Sequence, residues 1–516
     1  MQSIFDMGSA DPCPKSFNMA AHVLALADNQ PEKTALSVIA ISQAQNLSYA
    51  ALKRAVLGVA TGLQAMGIQP NDRVLMRLGN TVDFPITYLG CIAAGIVPIP
   101  TSSMLTVSEV NNIIAEMTPS AIIHTPELTP NLGADQTGAM TIDLDKLQSF
   151  FELPAAEFHL GDPERLAYIV YTSGTSGQPR AVMHAHRAIW ARRLMHQGWY
   201  DLKDSDRVLH AGAFNWTYTL GAGLLDPWTL GATSLILEPG TNIEAIPELL
   251  HQHQATIFAA VPGVYRKIIA QDLPLHLPHL RHGISAGEKL SVALRQSWND
   301  RTGTDIHEAF GLSECSTFIS GSPASPAPAQ SFGRPQKGRH IAIVSDTGPV
   351  PLGSSGQIAV HCDDPGLMLG YYNAPKETAA RFHAGWFLTG DLGCMDDSFN
   401  VTYLGRADDM MNAGGFRVSP IEVEQALQPC PGLAQIGVID VEVKADTKVI
   451  AAFYTAHKEL SSATLEAFAK TTLARYKQPR IYQRLKALPT NPNGKLSRQK
   501  LREIYEASND DAAHQT

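Results

Sequence analysis

The chain has 516 residues, of which 44% are hydrophobic and 17% are charged. This composition can bury large cores, so it excludes an intrinsically disordered chain and a long coiled coil, and at about 150 residues per domain the length predicts two to four folding units. The formal net charge of −9 is not typical of a protein whose main partner is nucleic acid or an anionic membrane.

The cysteines and the N-terminal segment bear on the cellular compartment. The six cysteines form no C-x-x-C pair, which excludes a zinc knuckle or a small disulfide scaffold and makes a reducing compartment the default. Residues 1–15 lack a basic flank before an apolar core, so we expect no secretory signal in them. The most apolar stretch, residues 88–100, is too short to span a bilayer. We predict a cytoplasmic monomer or homodimer that inserts into no membrane.

The first 300 residues alternate helix and strand patterns. Ser48 can cap a helix whose apolar residues recur at helical spacing, and Gly67 closes it. Strands are predicted at 73–78, 97–100, 121–125, 233–237, 256–260 and 283–285, and helices near 81–95, 243–253, 261–270 and 292–299. Such alternation predicts parallel sheets covered by helices. The alternating pattern occurs twice, first within residues 73–125 and again within residues 233–299, which indicates duplicated α/β subdomains.

The pattern changes at residues 321–330, a loop rich in Pro, Ala and Ser that cannot be the interior of a helix or strand. Short strands with glycine turns follow at 340–344, 357–361 and 401–404, which predicts a small β-rich subdomain. A compact α+β pattern then resumes, with strands at 435–443 and 448–456 and a helix near 462–476. We therefore predict a large N-terminal domain over residues 1–404 and a small C-terminal domain over residues 405–516.

The strongest local motif is Tyr171-Thr-Ser-Gly-Thr-Ser-Gly-Gln-Pro-Arg180, which follows the apolar run 166–170. A loop of small, hydroxylated residues exposes backbone N–H groups and hydroxyls without side-chain bulk, and this suits phosphate oxygens. Arg180 adds a fixed positive charge. The loop is not a Walker A motif, because the spacing G-x-x-x-x-G-K-[ST] is missing.

Five further segments occur in order: SAGE at 285–288, EAFGLSE at 308–314, GWFLTGD at 385–391, GRADDMMNAGGFR at 405–417 and NGK at 493–495. With these motifs the sequence resembles the adenylate-forming superfamily, which includes acyl- and aryl-CoA synthetases, luciferases and the adenylation domains of peptide synthetases. The resemblance runs from about Asn18 to Arg502. It implies that the C-terminal domain is mobile and swings about a hinge, for which Asp408 is the matching position.

The resemblance implies an ATP site in the N-terminal domain. The loop would hold the β- and γ-phosphates, Phe310 would stack on adenine opposite Gly287 and Glu288, and Asp391 would accept hydrogen bonds from the ribose hydroxyls, as an acceptor-only carboxylate can. The residues implied for ATP are Thr172, Ser173, Gly174, Thr175, Ser176, Gly177, Arg180, Gly287, Glu288, Phe310, Asp391 and Arg406. Arg180 stands where the family commonly has Lys, and Phe310 where Tyr is frequent; the charge and the ring are kept.

The resemblance also implies the catalytic residues. Lys495 would be the adenylation lysine, Ser313 would contact the α-phosphate and Glu314 would hold Mg²⁺. A carboxylate that attacks the α-phosphorus brings two anions together, and a positioned ammonium with Mg²⁺ offsets that repulsion. Lys495 lies in the run 470–502, which has ten Lys and Arg and no acid. Such a run is commonly a solvated face, but it can also receive phosphates.

Coenzyme A is the expected acyl acceptor, because the chain ends in a polar tail where a peptide-synthetase module would continue into a carrier domain. Gly414 and Gly415 would line the thiol tunnel, and Arg417 could reach phosphate. The acyl pocket would include Phe214, Asn215, Trp216, Tyr218, Val261 and Gly263. Asn215 carries no charge, which counts against an amino-acid substrate, and the aromatic rings favour a small or medium carboxylic acid that is aromatic, alicyclic or short-chain. Plain packing in the core is an equally good explanation of those rings.

Two alternatives stay open. Residues 283–287, GISAG, fit the G-x-S-x-G nucleophile elbow of a serine hydrolase, with Ser285 followed by Asp391 and His457 in the required order. That hydrolase leaves the Tyr171 loop and Lys495 unexplained. The second alternative is a stand-alone acid-adenylating enzyme with another acceptor. The histidine clusters near 251–253 and 276–282 lack an acid or cysteine to complete a ligand set, so the Mg²⁺ carried by ATP is the metal we expect.

Overall fold

The computed structural model describes residues 1–8, 10–128, 138–172, 180–271, 275–407, 409, 411–413, 416–444, 447–491 and 495–513. The strands in these ranges are β1 (Ile4–Asp6), β2 (Thr34–Ile39), β3 (Ala44–Ser48), β4 (Arg73–Arg77), β5 (Val97–Pro100), β6 (Ala121–His124), β7 (Met140–Ile142), β8 (Leu166–Thr172), β9 (Arg180–Ala185), β10 (Arg207–His210), β11 (Thr233–Leu237), β12 (Ile257–Ala259), β13 (His282–Ala286), β14 (Ile306–Leu312), β15 (Ser316–Ser320), β16 (Arg334–Pro335), β17 (His340–Ser345), β18 (Gly348–Pro349), β19 (Ser355–His361), β20 (Gly370–Tyr371), β21 (Phe382–His383), β22 (Trp386–Met395), β23 (Val401–Arg406), β24 (Met411–Ala413), β25 (Phe416–Val418), β26 (Leu433–Lys444), β27 (Thr447–Ala456) and β28 (Ile481–Arg484).

The α-helices in the same ranges are α1 (Met19–Val23), α2 (Tyr49–Ala65), α3 (Asp83–Ala93), α4 (Val107–Met117), α5 (Leu144–Ser149), α6 (Ala188–Met195), α7 (Thr217–Leu220), α8 (Asp226–Leu230), α9 (Ile246–Gln252), α10 (Pro262–Ile269), α11 (Val292–Thr302), α12 (Pro375–Ala380), α13 (Pro420–Leu427), α14 (Ser462–Thr472) and α15 (Arg498–Ala513). Within the described ranges, none of these helices has the length and apolar character needed to cross a membrane.

The largest sheet has the strand order β16-β15-β14-β13-β12-β10-β11-β2-β3. Its central strands, from β14 to β2, are parallel, and antiparallel strands close both edges. The carboxyl ends of β12, β13 and β14 therefore meet at one edge of the sheet, which is where open α/β sheets bind ligands. The motif residues Gly287 and Phe310 lie at this edge.

A second parallel sheet, ordered β5-β4-β6-β7, repeats the α/β pattern. Ser48 caps α2 as predicted, its hydroxyl accepting from the Ala51 N–H, and Gly67 follows the helix with a φ of 87°. The α/β class and the duplicated subdomains are confirmed. The sequence pattern did not reveal that β2 and β3 join the larger sheet, because β3 is mostly exposed and polar and precedes the first clear helix.

The predicted β-rich subdomain is an antiparallel sheet with the path β1-β17-β19-β22-β21, in which β23 pairs with β22. Alternate residues of β22 are buried, as expected for a strand with one face on a core. β23 extends to Arg406 and pairs it directly with Asp391. The division predicted after residue 404 thus falls inside this strand, and the domain limits stay a prediction.

A small antiparallel sheet, β20-β9-β8, carries the motif at residues 171–180, called the phosphate loop below after the role predicted for it. β8 leads into the loop and β9 leaves it, so Thr172 and Arg180 are cross-strand partners. β20 pairs with β9, Tyr371 lying opposite Val182. This pairing brings Tyr371, which is almost 200 residues further along the chain, next to the stem of the loop.

The C-terminal part contains the hairpin β24-β25, the sheet β26-β27-β28 and helices α13 to α15. Leu501 of α15 is fully buried and packs in one cluster with Ile439 and Phe453. The helix predicted near 462–476 ends earlier, at Thr472, because Leu473 has extended backbone angles and a short 3₁₀ turn follows. The small C-terminal α+β part is confirmed.

A buried ion pair joins helices α6 and α8. Arg192 donates to both carboxylate oxygens of Asp226, at 2.8 Å and 2.5 Å, and Tyr200 donates to the same carboxylate at 2.9 Å. Gly221 lies so close that an added Cβ would stand 2.0 Å from the guanidinium. Two π-helical turns meet here, since Tyr200 ends one and Gly221 begins the other.

Candidate active site

The stem of the phosphate loop is held by groups from α12 and β20. Arg180 forms an ion pair with Glu377 at 2.9 Å, and its guanidinium lies 5.2 Å from the centre of the Tyr371 ring. Thr172, the other stem residue, is half-buried. The remaining predicted loop residues, Ser173, Gly174, Thr175, Ser176 and Gly177, lie outside the described residues.

Glu314, the predicted Mg²⁺ residue, is almost fully buried after β14. Its Oε1 accepts a hydrogen bond from the Tyr371 hydroxyl at 2.8 Å. Burial, reinforced by Glu314, raises the pKa of Tyr371 to about 12, so the phenol keeps the proton that it donates. The carboxylate therefore has one oxygen engaged by protein and is fixed in direction.

A residue of β9, His184, holds the backbone of Ser313. His184 Nε2 lies 2.7 Å from the Ser313 carbonyl oxygen. Burial lowers the pKa of His184 to about 4, so the ring is neutral, and Nε2 carries its proton because a carbonyl can only accept. The segment that would face the α-phosphate is thus anchored through its main chain.

Asp391 and Arg406 form the predicted ribose site as a cross-strand pair of β22 and β23. Asp391 Oδ2 lies 3.2 Å from Arg406 Nη1, and its Oδ1 accepts from the Tyr403 hydroxyl at 3.0 Å. Tyr403 in turn packs on Phe310, with ring centroids 5.8 Å apart. Phe310 is mostly buried against Phe318 and Phe332 as well, and its role at adenine stays a prediction.

Lys495 reaches this site from the C-terminal part of the chain. Its N–H donates to the Asn491 side chain at 2.9 Å, and the Asn491 N–H donates to its carbonyl at 2.8 Å, which fixes the backbone. Burial lowers the pKa of the Lys495 ammonium, and the carboxylates of Glu288 and Asp391 oppose that shift. Burial raises the pKa of the Glu288 carboxyl, and the charge of Lys495 is the main influence that opposes this rise. Carboxylates of two other motifs thus act electrostatically on the Lys495 ammonium.

Gly287 lies where this lysine meets the predicted acyl pocket. Its φ is 94°, and an added Cβ would stand 2.8 Å from Trp216 and 3.9 Å from Lys495 Cε. Both the backbone angle and the space therefore require glycine here. The Trp216 ring is perpendicular to Tyr218 at 5.7 Å, and Tyr218 donates to the Ile284 carbonyl at 3.1 Å.

The other predicted pocket residues are distributed unevenly. Phe214 is buried in a different cluster, against Phe84. Val261 and Gly263 begin α10 at the carboxyl end of β12, and the space in front of Gly263 is open. Asn215 is half-buried next to Trp216. Trp216 is therefore the pocket residue that shares the space in front of Gly287 with the Lys495 side chain, and Tyr218 packs against Trp216.

An open cleft of about 370 Å³ lies beside the loop stem. Its lining consists of Arg180, Glu377, Ala380, Arg381, Gly390, Arg406 and Ala407. Sequence reasoning missed Arg381 and also Tyr371, because neither belongs to the six motifs. The available signal was weak: both lie in the segment that leads directly into the motif at 385–391.

The hinge and tunnel predictions are mostly outside the described part of the chain, which lacks Asp408, Gly414 and Gly415. Arg417 is described through its backbone in β25. The hydrolase alternative is not supported, because Ser285 lies inside β13 and is fully buried. A nucleophile elbow instead exposes its serine at a sharp turn.

Comparison with known proteins agrees with this arrangement. The pattern of the AMP-binding enzyme family matches residues 24–372, and that of the AMP-binding enzyme C-terminal domain matches residues 422–495. The benzoate–CoA ligase of Thauera aromatica is 30% identical over 459 residues, which are 85% of this chain and 86% of that protein. The human mitochondrial acyl-coenzyme A synthetase ACSM2A is 28% identical over 467 residues, 85% of this chain and 81% of that one.

The crystal structure of the anthranilate CoA ligase AuaEII in complex with anthranoyl-AMP has the same architecture. It superimposes with a TM-score of 0.87 at 25% identity and covers 95% of this chain and 98% of its own. The family pattern alone spans more than half of the chain, and the fold agrees over nearly all of it. The chain belongs to the adenylate-forming superfamily of AMP-binding enzymes.

Proposed function

We propose that the protein is an ATP-dependent carboxylate–CoA ligase. It joins a carboxylic acid to ATP as an acyl-adenylate with release of pyrophosphate, and then transfers the acyl group to the thiol of CoA with release of AMP. The names of the relatives, benzoate–CoA ligase, acyl-coenzyme A synthetase and anthranilate CoA ligase, support this reaction class. The observation that carries it is the position of the Lys495 side chain, whose Cε would lie 3.9 Å from a Cβ added to Gly287, with the charges of Glu288 and Asp391 acting on its ammonium.

In the first half-reaction a carboxylate oxygen attacks the α-phosphorus, and the bond to the β-phosphate oxygen breaks. Lys495 offsets the repulsion between the two anions and holds the charge that develops on the α-phosphate. Asp391 and Arg406 orient the ribose, and Phe310 with Gly287 forms the adenine site. Ser313, anchored by His184, contacts the α-phosphate.

The residues present fit Mg²⁺ carried by ATP. Glu314 offers a carboxylate, the kind of oxygen ligand that Mg²⁺ prefers. One of its oxygens is engaged by Tyr371, so Oε2 is the oxygen that would face the metal. Bound there, Mg²⁺ would neutralise phosphate charge. The chain's own contribution is to hold this carboxylate in one orientation.

The second half-reaction uses CoA, whose thiol displaces AMP from the acyl carbonyl. Asp408 is proposed as the hinge, Gly414 and Gly415 as the tunnel lining, and Arg417 as a phosphate contact. The acyl group would lie against Trp216 and Tyr218, which suits a small or medium aromatic, alicyclic or short-chain acid. A cytoplasmic location, and a monomer or homodimer as the assembly, remain part of the proposal.

The test is carboxylate-dependent exchange of labelled pyrophosphate into ATP, followed by thioester formation. We expect exchange with at least one acid from a panel of benzoates, alicyclic acids and short-chain acids, and a CoA thioester with the same acid. Absence of exchange with every acid would contradict the adenylation chemistry. Exchange without a thioester would favour the alternative in which another nucleophile accepts the acyl group.

A further inference from the structure

The cleft beside the loop stem concentrates positive charge. Three of its lining residues, Arg180, Arg381 and Arg406, carry guanidinium groups, and Glu377 is the acid that lines it. An added Cβ on Gly390 would lie 3.0 Å from Arg406 Nη2 and 3.4 Å from Arg381 Nη1. The two guanidinium groups therefore converge over the bare Gly390 backbone.

The three arginines differ in their partners. Arg180 is paired with Glu377 and Arg406 with Asp391. Among the residues that the structure describes, no carboxylate forms an ion pair with Arg381, whose charge instead opposes the rise that burial causes in the pKa of the neighbouring Tyr371 hydroxyl. Arg381 is half-buried at the end of α12. Of the three cleft arginines, Arg381 is the one for which the described residues provide no ion-paired carboxylate.

We propose that Arg381 is a phosphate-binding residue, which holds the β- and γ-phosphates of ATP and the pyrophosphate that leaves. This inference rests on the proposed ligase function and adds a residue that the sequence motifs do not contain. A guanidinium presents a planar fork of donors that matches phosphate oxygens, and it stays charged throughout the working pH range. The missing side chain at Gly390 leaves room for the phosphate chain to approach.

Two phosphate chains occur in the reaction, that of ATP and that of CoA. The position of Arg381 favours ATP. Arg381 lies beside Tyr371, which holds Glu314 and supports Arg180 at the stem of the phosphate loop. Tyr371 thus contacts both Arg180 and Glu314, the proposed Mg²⁺ ligand, so a pyrophosphate held by Arg381 would lie near both groups.

The experiment compares Arg381→Ala and Arg381→Lys with Lys376→Ala, which removes a positive charge from an exposed position of the same helix. Steady-state KM values for ATP, acid and CoA are measured, together with the inhibition constant of pyrophosphate. In Arg381→Ala we expect the KM for ATP and the inhibition constant for pyrophosphate to rise by about tenfold. Arg381→Lys should recover part of this loss, and Lys376→Ala should change neither value.

The second part of the experiment measures thioester formation from preformed acyl-AMP, which depends on CoA but not on ATP. We expect its KM for CoA to be unchanged in Arg381→Ala. A rise confined to the KM for CoA would overturn the proposal and assign the cleft to the CoA phosphates, and equal losses in every parameter with a lowered melting temperature would show a structural role. Failure of the ligase function itself would look different, because the wild-type protein would then show no exchange at all.

Discussion

Two regions of the molecule hold arginine–carboxylate pairs under opposite conditions. In the scaffold, Arg192–Asp226 and Arg339–Asp364 have side chains that are at most 8% exposed. At the cleft, Arg180 and Glu377 are 26% and 54% exposed. Breaking an enclosed pair leaves an uncompensated buried charge, whereas breaking an exposed pair costs little because water replaces the partner.

The difference concerns what each pair is for. Each scaffold arginine is packed against a glycine, since an added Cβ at Gly221 or Gly366 would stand 2.0 Å or 2.3 Å from its guanidinium. The cavity beside Arg192 and Gly221 measures about 20 Å³, which is room for about one water molecule and not for a phosphate, and the pair fixes how helices and loops pack. At the cleft the guanidinium groups face open space, so a phosphate can replace or join the carboxylate partner. The buried pairs therefore stabilise the packing of the scaffold, and the exposed pair leaves a guanidinium group available to a charged ligand.

The largest effect is expected from the scaffold. Arg192→Met leaves Asp226 charged and buried, and we expect the free energy of unfolding to fall by about 3–5 kcal/mol, measured as a shift of the urea denaturation midpoint. The double variant Arg192→Met with Asp226→Leu should recover most of the loss, because both charges are then removed. A single variant as stable as wild type would remove the distinction between the two regions.

At the open site the largest expected effect is on catalysis. Lys495→Ala should slow pyrophosphate exchange by about 10²–10³-fold, the typical loss when one preorganised charge-stabilising group is removed. Thioester formation from preformed acyl-AMP should be largely kept. Lys500→Ala, an exposed lysine of α15, is the matched control. If a folded Lys495→Ala protein lost both half-reactions equally, the assigned role would be wrong.

The contrast between Lys495 and Tyr371 explains what could be predicted from the sequence. Lys495, Glu314 and Asp391 lie in short motifs with a recognisable order, so their roles could be inferred before their positions were known. The alternation of strands and helices likewise predicted the fold class. The exact limits of helices and strands depend on local capping, and most of the predicted limits lie within a few residues of those in the structure.

Tyr371 and Arg381 could not be found in the same way. Their importance comes from strand pairing, which places β20 beside β9 and so brings both residues next to Arg180. A tyrosine before a loop and an arginine at a helix end have no spacing that signals chemistry. The addition of β2 to the larger sheet was missed for the same reason, because pairing between distant segments leaves no local pattern.

Tyr371→Phe tests whether the orientation of Glu314 matters. The substitution removes the hydrogen bond to the carboxylate and keeps the ring under Arg180, so we expect kcat/KM for adenylation to fall by about tenfold. The Mg²⁺ concentration needed for half-maximal rate should rise at the same time. Tyr372→Phe, the neighbouring position, should stay within about twofold of wild type. An unchanged Mg²⁺ requirement would contradict the role of Tyr371 in orienting Glu314 for the metal.

The pH dependence of adenylation tests the charges around Lys495. The rate needs the protonated ammonium, and burial lowers its pKa, so the rate should decline with rising pH earlier than for an exposed lysine. Glu288→Gln removes a charge that opposes this shift, so the alkaline decline should move to still lower pH. Glu459→Gln, which is exposed, should leave the profile unchanged. A shift to higher pH in Glu288→Gln would mean that Lys495 does not set the decline.

The smallest effect is expected where the cleft pair itself is broken. Glu377→Gln should change the free energy of unfolding by less than about 1 kcal/mol, because Arg180 remains hydrated. It should also lower the KM for ATP by roughly two- to fivefold, since Arg180 no longer divides its charge between Glu377 and phosphate. Glu377→Asp, which keeps the charge, is the control and should resemble wild type. If the KM for ATP rose instead, Glu377 would be needed to aim Arg180, and the pair would belong with the structural pairs of the scaffold.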